Sequence, residues 1–150
     1  MKPNAITPYL CCKNAAAAID FYKKAFGAIE EYRLAEPSGR IGHAQLRING
    51  APIMLADEYP ELGVLSPQSL GGSAVAIHLY VADADAIAAN ATTAGAKIVR
   101  PVADQFYGDR SGTLDDPFGH RWFVATRKEE LSDDEVKRRY DDLLKGGDAK

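Results

Sequence analysis

The feature that most constrains the fold of this chain is an internal repeat with an offset of about 69 residues. Turn and cap residues recur at that spacing, and the segment "GRIG" at 39–42 has a counterpart, "DRSG", at 109–112. Such self-similarity indicates two copies of one supersecondary unit. The matched positions are Asn14 with Asp83, Gly27 with Gly95, and Gly50 with Gly119.

Each half of the chain has the pattern of a strand, a helix and three more strands. In the first half Asn14 can cap a helix with apolar residues at helical spacing, and Gly27 can end it. Asn49 and Gly50 between two strand-like runs indicate a hairpin. We therefore predict an α+β fold: two βαβββ modules in a pseudo-twofold repeat, whose curved mixed sheets face each other and form an open barrel or cleft.

The boundaries follow from composition. Module one covers residues 5–58, a linker rich in Pro, Gly and Ser covers 59–73, and module two covers 74–127. We assign residues 1–131 to a single domain of ordinary globular composition. Residues 132–150 are predicted to form a C-terminal helical tail, because "SDDE" at 132–135 is a capping box with basic residues after it.

Charge and hydropathy exclude several partners. A formal net charge of −3 gives no electrostatic basis for binding nucleic acid. The longest apolar runs are too short to span a bilayer, and "MKPNAITPYL" lacks the apolar core of a signal peptide. We expect a cytoplasmic protein that contacts neither nucleic acid nor membrane. Cys11 and Cys12 are neighbours that cannot easily pair, so we expect reduced thiols.

Several segments carry a family resemblance. They are "PYLCCKNAAAAIDFYKKAFGA", "GRIGHAQL", "NGAPIMLADE" and "DQFYGDRSGTLDDPFGHRW". With these segments the chain resembles the vicinal oxygen chelate superfamily (glyoxalase/bleomycin-resistance/dioxygenase), and in particular a glyoxalase-like branch sometimes labelled demethylubiquinone methyltransferase-like. The resemblance implies a small-molecule ligand held between modules, and a homodimer whose clefts are assembled or completed by a second chain.

The resemblance also implies where a metal would be held. Metal enzymes of this superfamily place one ligand on the first strand and one on the last strand of each module. Aligning the repeat puts those positions at Thr7, Met54, Ala76 and Phe123. None of these side chains offers the imidazole or carboxylate that a divalent metal needs. We therefore predict no metal and no other cofactor.

Other residues could serve the cleft. Tyr9 and His78 lie two residues beyond Thr7 and Ala76 and are 69 residues apart, so both side chains are expected to face the cleft. His43 is a further candidate. These residues could orient a ligand or act as acid and base. They could equally be satisfied polar groups in a half-buried sheet. A metal site built from His43, Glu58 and His78 is a further alternative.

The stretch "QFYGDR" at 105–110 is predicted to form a loop above the cleft. Its aromatic and cationic side chains suit the capture of a planar or anionic ligand. Gln105, Tyr107 and Arg110 are the candidate ligand contacts. Alternatively, Asp109 and Arg110 could form an ion pair that fixes the loop.

The segment that follows, "DDPFGHRW", is interpreted as structural. Pro117 and Gly119 make a turn that Asp116 can brace through backbone amides. His120 is expected to be a surface or bracing residue, and Trp122 a core residue.

Two functions fit these patterns. The first is a metal-free small-molecule binding protein of the bleomycin-resistance type. The alternative is an isomerase, lyase or group-transfer enzyme that uses His78, His43 and Tyr9, with or without a metal. The chain has neither a GxSxG nucleophile elbow nor a glycine-rich nucleotide fingerprint.

Overall fold

Each half of the chain folds as one strand, one helix and three more strands. The structure, a computed structural model, describes Pro3 and residues 6–146. The first half contains β1 (Tyr9–Cys12), α1 (Ala15–Phe26), β2 (Ile29–Ala35), β3 (Ile41–Ile48) and β4 (Ala51–Asp57). A 3-10 turn (Pro60–Leu62) and the short α2 (Pro67–Leu70) connect the halves. The second half contains β5 (Ala76–Tyr80), α3 (Ala84–Thr93), β6 (Lys97–Asp104), β7 (Asp109–Asp115) and β8 (Arg121–Arg127), and α4 (Asp133–Lys145) follows.

Each module forms its own four-stranded mixed sheet. The strand orders are β1-β4-β3-β2 and β5-β8-β7-β6. In both sheets the first and last strands of the module pair in parallel, and the other pairs are antiparallel. The predicted α+β fold of two βαβββ modules is therefore confirmed, with curved sheets that do not close into a barrel.

Helices α1 and α3 begin where the sequence predicted, and α1 also ends there, whereas α3 ends at Thr93 with Ala94, not Gly95, as its C-cap. Asn14 accepts a hydrogen bond from the Ala17 amide, and Asp83 accepts one from the Ala86 amide, so each side chain satisfies a donor of the first turn. Gly27 ends α1 with a φ of 68°, in the left-handed region that favours glycine.

The repeat extends to the contacts that hold each helix to its sheet. The Ala15 amide donates to Asp57 Oδ1 over 2.7 Å, and the Ala84 amide donates to Thr126 Oγ1 over 2.8 Å. Both donor and acceptor are displaced by 69 residues between the modules. The same backbone register is thus built with two different acceptors.

One hydrophobic core joins the modules. Helices α1 and α3 pack against each other and cover one face of each sheet, while no helix of the described residues covers the opposite, open faces. The rings of Phe26 and Trp122 from different modules lie 4.6 Å apart, which confirms Trp122 as a core residue. The largest fully buried side chains are Trp122, Tyr22, Ile19, Ile41, Leu46 and Leu55.

The buried Asp116 carboxylate links the modules at this core. One oxygen accepts from the backbone amides of Phe118 and His120, at 2.8 and 3.0 Å, and so fixes the predicted turn. The other oxygen accepts from the Trp122 indole over 2.9 Å and from the Tyr22 phenol of α1 over 2.6 Å. Burial, together with this carboxylate, raises the pKa of Tyr22 well above its ordinary value, so the phenol stays a donor.

The hairpin turns also hold the modules together. Asn49 Nδ2 donates to the Tyr80 carbonyl over 2.6 Å, and His120 Nε2 lies 2.9 Å from the Cys11 carbonyl. Because β1 and β5 are edge strands, each turn satisfies a backbone group on the open edge of the other module. His120 is thus a buried bracing residue rather than a surface one.

The tail helix packs beside the loop at 105–108. Ser132 caps α4 by accepting from the Glu135 amide, as the capping box predicted. Arg139 donates to the Phe106 carbonyl over 3.2 Å, and the Tyr140 ring lies 5.5 Å from the Phe106 ring. The last four residues of the predicted tail, and residue 5 at the predicted start of module one, lie outside the described residues. Across the described part, no helix has the length and apolarity needed to cross a membrane.

The four hydrogen bonds of Asp116 lead to a stability prediction. Asp116→Ala leaves buried donors unsatisfied and is expected to lower the free energy of unfolding by about 3 kcal/mol or more. The neighbouring Asp115 forms only a partly exposed ion pair with Arg121, so Asp115→Ala is expected to cost under about 1 kcal/mol. Urea denaturation of both variants measures the difference. Equal losses would contradict a linking role for Asp116.

Candidate ligand-binding site

A pocket of about 450 Å³ lies on the open face of the second sheet. Every residue that lines it belongs to module two, so this pocket is walled by one module and is not the cleft predicted between modules. The lining residues are His78, Tyr80, Arg100, Gln105, Phe106, Tyr107, Asp109, Ser111, Gly112, Thr113, Phe123 and Arg127.

The floor of the pocket is a row of side chains that crosses the sheet. Arg100 on β6 pairs with Thr113 on β7, Thr113 pairs with Phe123 on β8, and Phe123 pairs with His78 on β5. Directly opposed residues of neighbouring strands project to the same face. The neighbours of Phe123 along β8, Trp122 and Val124, are buried in the core on the other face.

Aromatic rings form one wall of the pocket. The rings of His78 and Tyr80 stack with centroids 4.7 Å apart, and the Phe123 ring stands edge-on 6.2 Å from His78. Phe123 is 39% exposed, although it is a large apolar side chain. The wall therefore has exposed ring surface, and His78 is part of it; the role of His78 as a ligand contact stays a prediction.

A closed polar network adjoins the aromatic wall at the Tyr80 phenol. Asp109, only 2% exposed, accepts from the Tyr80 phenol over 2.6 Å and from Arg127 Nε over 2.7 Å. Arg127 Nη2 also donates to the Tyr80 oxygen over 2.9 Å. The bond to Asp109 raises the pKa of Tyr80, against a smaller opposing effect of Arg127. The acidic charge of the pocket is thereby neutralised within the pocket.

Two of the loop residues chosen from sequence lie at this pocket. Tyr107 has its phenol oxygen 3.1 Å from Ser111 Oγ, and Gln105 donates to the carbonyls of Ser111 and Ala103 over 3.3 and 3.2 Å. These bonds hold both side chains at the rim. Their role as ligand contacts stays a prediction.

Arg110 lies elsewhere than we predicted. It donates to Asp85 on α3 over 2.7 Å and to Asp104 over 3.2 Å, and it does not line the pocket. The reason is that residue 109 already begins β7, so Arg110 alternates with Asp109 and projects to the helix-covered face. The alternative pair of Asp109 with Arg110 is also wrong, since Asp109 pairs with Arg127.

Tyr9 and His43 lie on the open face of the first sheet, not beside His78. The Tyr9 phenol oxygen is 2.7 Å from His43 Nδ1, and the Tyr32 ring is 5.6 Å from the His43 ring. Burial raises the pKa of Tyr9. The expectation that Tyr9 and His78 share one cleft therefore fails within a single chain: Tyr9 lines a separate pocket of about 340 Å³.

The residues present do not fit a divalent metal. Met54 and Phe123 hold equivalent places, each register-paired with the first strand of its module, opposite Tyr9 and His78 respectively. Neither Met54 nor Phe123, nor Thr7 or Ala76, has a nitrogen or carboxylate ligand to offer. Within Pro3 and residues 6–146, no group of three or more His, Cys, Asp or Glu is placed to hold a metal ion.

The alternative metal set of His43, Glu58 and His78 does not assemble either. The Glu58 carboxylate accepts from the Ser66 amide over 2.9 Å and from the Ser69 hydroxyl over 2.8 Å. These bonds lower the pKa of Glu58 and tie it to the linker. His43 and His78 belong to different sheets.

The free thiols have no sign of reactivity. Burial raises the pKa of both Cys11 and Cys12, which disfavours the nucleophilic thiolate.

Comparison with known proteins identifies the family. The model of the glyoxalase/bleomycin resistance protein/dioxygenase superfamily matches residues 3–124. The chain belongs to this superfamily. An uncharacterized protein of Mycobacterium bovis is 46% identical over 136 residues, which cover 89% of this chain and 90% of that protein.

Two solved structures are similar to this chain in fold. The X-ray structure of an Arabidopsis thaliana gene product has a TM-score of 0.66 and 31% identity, and the match covers 83% of this chain and 99% of that one. The fosfomycin resistance protein FosX of Listeria monocytogenes, in complex with Mn(II) and sulfate, has a TM-score of 0.65 and 17% identity, covering 93% and 99%. At 17% identity the likeness of FosX shows the fold alone.

Several pocket residues were missed by sequence reasoning. Tyr80 lies two residues beyond His78, and Arg127 lies four beyond Phe123. Because residues an even number of positions apart on a strand project to the same face, the sequence contained enough information to predict both. Asp109 was considered only as a partner of Arg110. Arg100 gave no signal, because the register of β6 shifts on both sides of it.

The Asp109 network leads to a testable pKa change. In Asp109→Asn the carboxylate that holds the Tyr80 proton is gone, while Arg127 still favours the phenolate, so the pKa of Tyr80 is expected to fall. Tyrosine ¹³Cζ shifts followed against pH, with Tyr80→Phe for assignment, measure it. Asp104→Asn is the control, because Asp104 is exposed and pairs with Arg110. An unchanged Tyr80 titration in Asp109→Asn would refute the network.

Proposed function

We propose that this chain is a small-molecule binding protein of the glyoxalase/bleomycin-resistance type that uses no metal. The observation that carries the proposal is the row from Arg100 to His78: it combines ring surface with hydrogen-bonding groups and contains no set of metal ligands. Pockets of several hundred Å³ with apolar walls and a few placed polar groups are typical small-molecule sites. The structure of FosX, which shares the fold, contains Mn(II). The side chains at the four family metal positions of this chain offer no imidazole or carboxylate to bind such an ion.

Binding is favoured over catalysis by the surroundings of His78. A histidine that acts as general base is oriented by a third group through a hydrogen bond. His78 makes ring contacts with Tyr80 and Phe123 and no hydrogen bond to any described residue. Its arrangement suits a wall for a flat ligand better than a base.

The alternative, an isomerase, lyase or group-transfer enzyme, is favoured by one observation. The 2.7 Å contact between Tyr9 and His43 joins a phenol to an imidazole, which is a pair able to pass a proton. In this alternative a second chain would have to bring the pair to the pocket, because it lies on the other sheet. Loss of turnover in both Tyr9→Phe and His43→Gln, with ligand affinity retained, would support it.

A homodimer would complete the one-sided pocket. The open face of module one carries Tyr9, Tyr32 and Leu34, all exposed, with Leu34 60% exposed. Large apolar side chains collected on one face mark an interaction surface. We place on it module two of a second copy, whose pocket also lacks a cover, so that each cleft takes one wall from each chain.

The binding proposal is tested by calorimetry against a panel of aromatic and polar metabolites and antibiotics. We expect stoichiometric binding of a panel compound, unchanged by EDTA, and no chemical change in the recovered ligand. Phe123→Ala removes exposed ring surface and is expected to weaken that binding about tenfold. Leu62→Ala, on the linker, controls for lost apolar surface. EDTA-sensitive binding or turnover would overturn the metal-free binding function.

The dimer is tested by light scattering at micromolar concentration. The wild-type chain is expected to have twice the monomer mass, and Leu34→Arg, which puts a charge on the open face of module one, is expected to shift it to monomer. Val99→Arg, on an exposed position of β6, is the matched control. A monomeric wild-type chain would refute the dimer.

A further inference from the structure

Arg100 differs from the other arginines of the chain. Eight of the nine arginines form an ion pair with an Asp or Glu side chain. Arg100 forms none with any described residue, and no hydrogen bond of its guanidinium is found there. A guanidinium has five donors in a planar fork that matches an oxyanion, so an unpaired one in a pocket is a vacant anion-binding group.

The surroundings of Arg100 leave its charge uncompensated. The one carboxylate that lines the pocket, Asp109, is already paired with Arg127 at 2.7 Å. The remaining lining residues are neutral or are the histidine His78. The pocket therefore carries a net positive charge at its Arg100 end, although the whole chain is acidic.

A second unpartnered group lies beside Arg100. Thr113 is its register partner on β7, and the Thr113 hydroxyl makes no hydrogen bond to any residue of the described ranges. A guanidinium and a hydroxyl on adjacent strands can donate together to one carboxylate. Phe123 follows on the next strand, about 4.8 Å further across the sheet, since that is the usual strand spacing.

We infer that the ligand of this pocket is an aromatic carboxylate. Its anionic group binds Arg100 and Thr113, and its ring lies against Phe123 and His78. A rigid aromatic acid can place its carboxylate at the Arg100–Thr113 pair and its ring over the next strand, because neighbouring strands lie only about 4.8 Å apart. This inference rests on the proposed binding function and adds the chemical class of the ligand.

The experiment compares 2-naphthoate with the neutral 2-naphthamide by calorimetry. The acid is expected to bind at least about tenfold more tightly than the amide, and less tightly as salt is raised. Arg100→Gln is expected to remove that preference while the affinity for the amide is kept. Arg33→Gln is the matched control, because Arg33 pairs with Glu30 and does not line the pocket; it is expected to keep the preference.

The outcomes separate this inference from the binding function. Equal affinity for the acid and the amide, or a preference that survives Arg100→Gln, overturns the aromatic carboxylate and leaves the binding function standing. A third outcome is that neither 2-naphthoate nor 2-naphthamide binds, while another panel compound binds and loses affinity in Phe123→Ala. This outcome also overturns the aromatic carboxylate and leaves the binding function standing. A shift of Arg100→Gln to monomer, with the preference kept, assigns Arg100 to the subunit contact and also overturns it. The binding function itself is overturned by the absence of any panel ligand, or by the EDTA-sensitive binding or turnover named above.

Discussion

The buried carboxylate of Asp116 is the interaction on which the relation between the modules depends. A buried charge is tolerated only when its lone pairs are satisfied, and here four donors satisfy them. Two of these donors shape the β7–β8 turn, one is Trp122, and one is Tyr22 on α1 of the other module. The same group therefore sets the course of β8 and docks module one against it, which fixes where Phe123 projects.

The repeat supplies two copies of a backbone but not two copies of a site. Where module two has Thr113 opposite Phe123, module one has Gln45 opposite Met54. The Gln45 amide is buried and donates to Glu31 over 3.0 Å, so it is occupied within its own sheet. One open face thus carries a guanidinium and a hydroxyl that have no partner among the described residues, and the other carries exposed Tyr and Leu side chains. This asymmetry is what a pocket and its cover would require.

The sequence predicted the fold well because caps and turns act locally. Asn14, Asp83 and the turn glycines determine where helices and hairpins start, whatever the rest of the chain does. The pocket depends on strand register, which is not local. Arg110 and Arg100 look alike in sequence, yet residue 109 starts a strand and sends Arg110 to the helix side, while irregularities in β6 turn Arg100 to the open side. Only the paired strands show that difference.

The two candidate functions differ in whether a second chain must contribute residues to the site. The guanidinium of Arg100, the hydroxyl of Thr113 and the ring of Phe123 occupy one row of one sheet, so ligand capture can occur on a single chain and needs a partner only to cover the ligand. The Tyr9–His43 pair lies on the other sheet. Proton transfer would have to pass between chains. In the proposed binding function each chain therefore carries its own site, whereas the enzyme alternative at the pocket of module two needs residues of both chains.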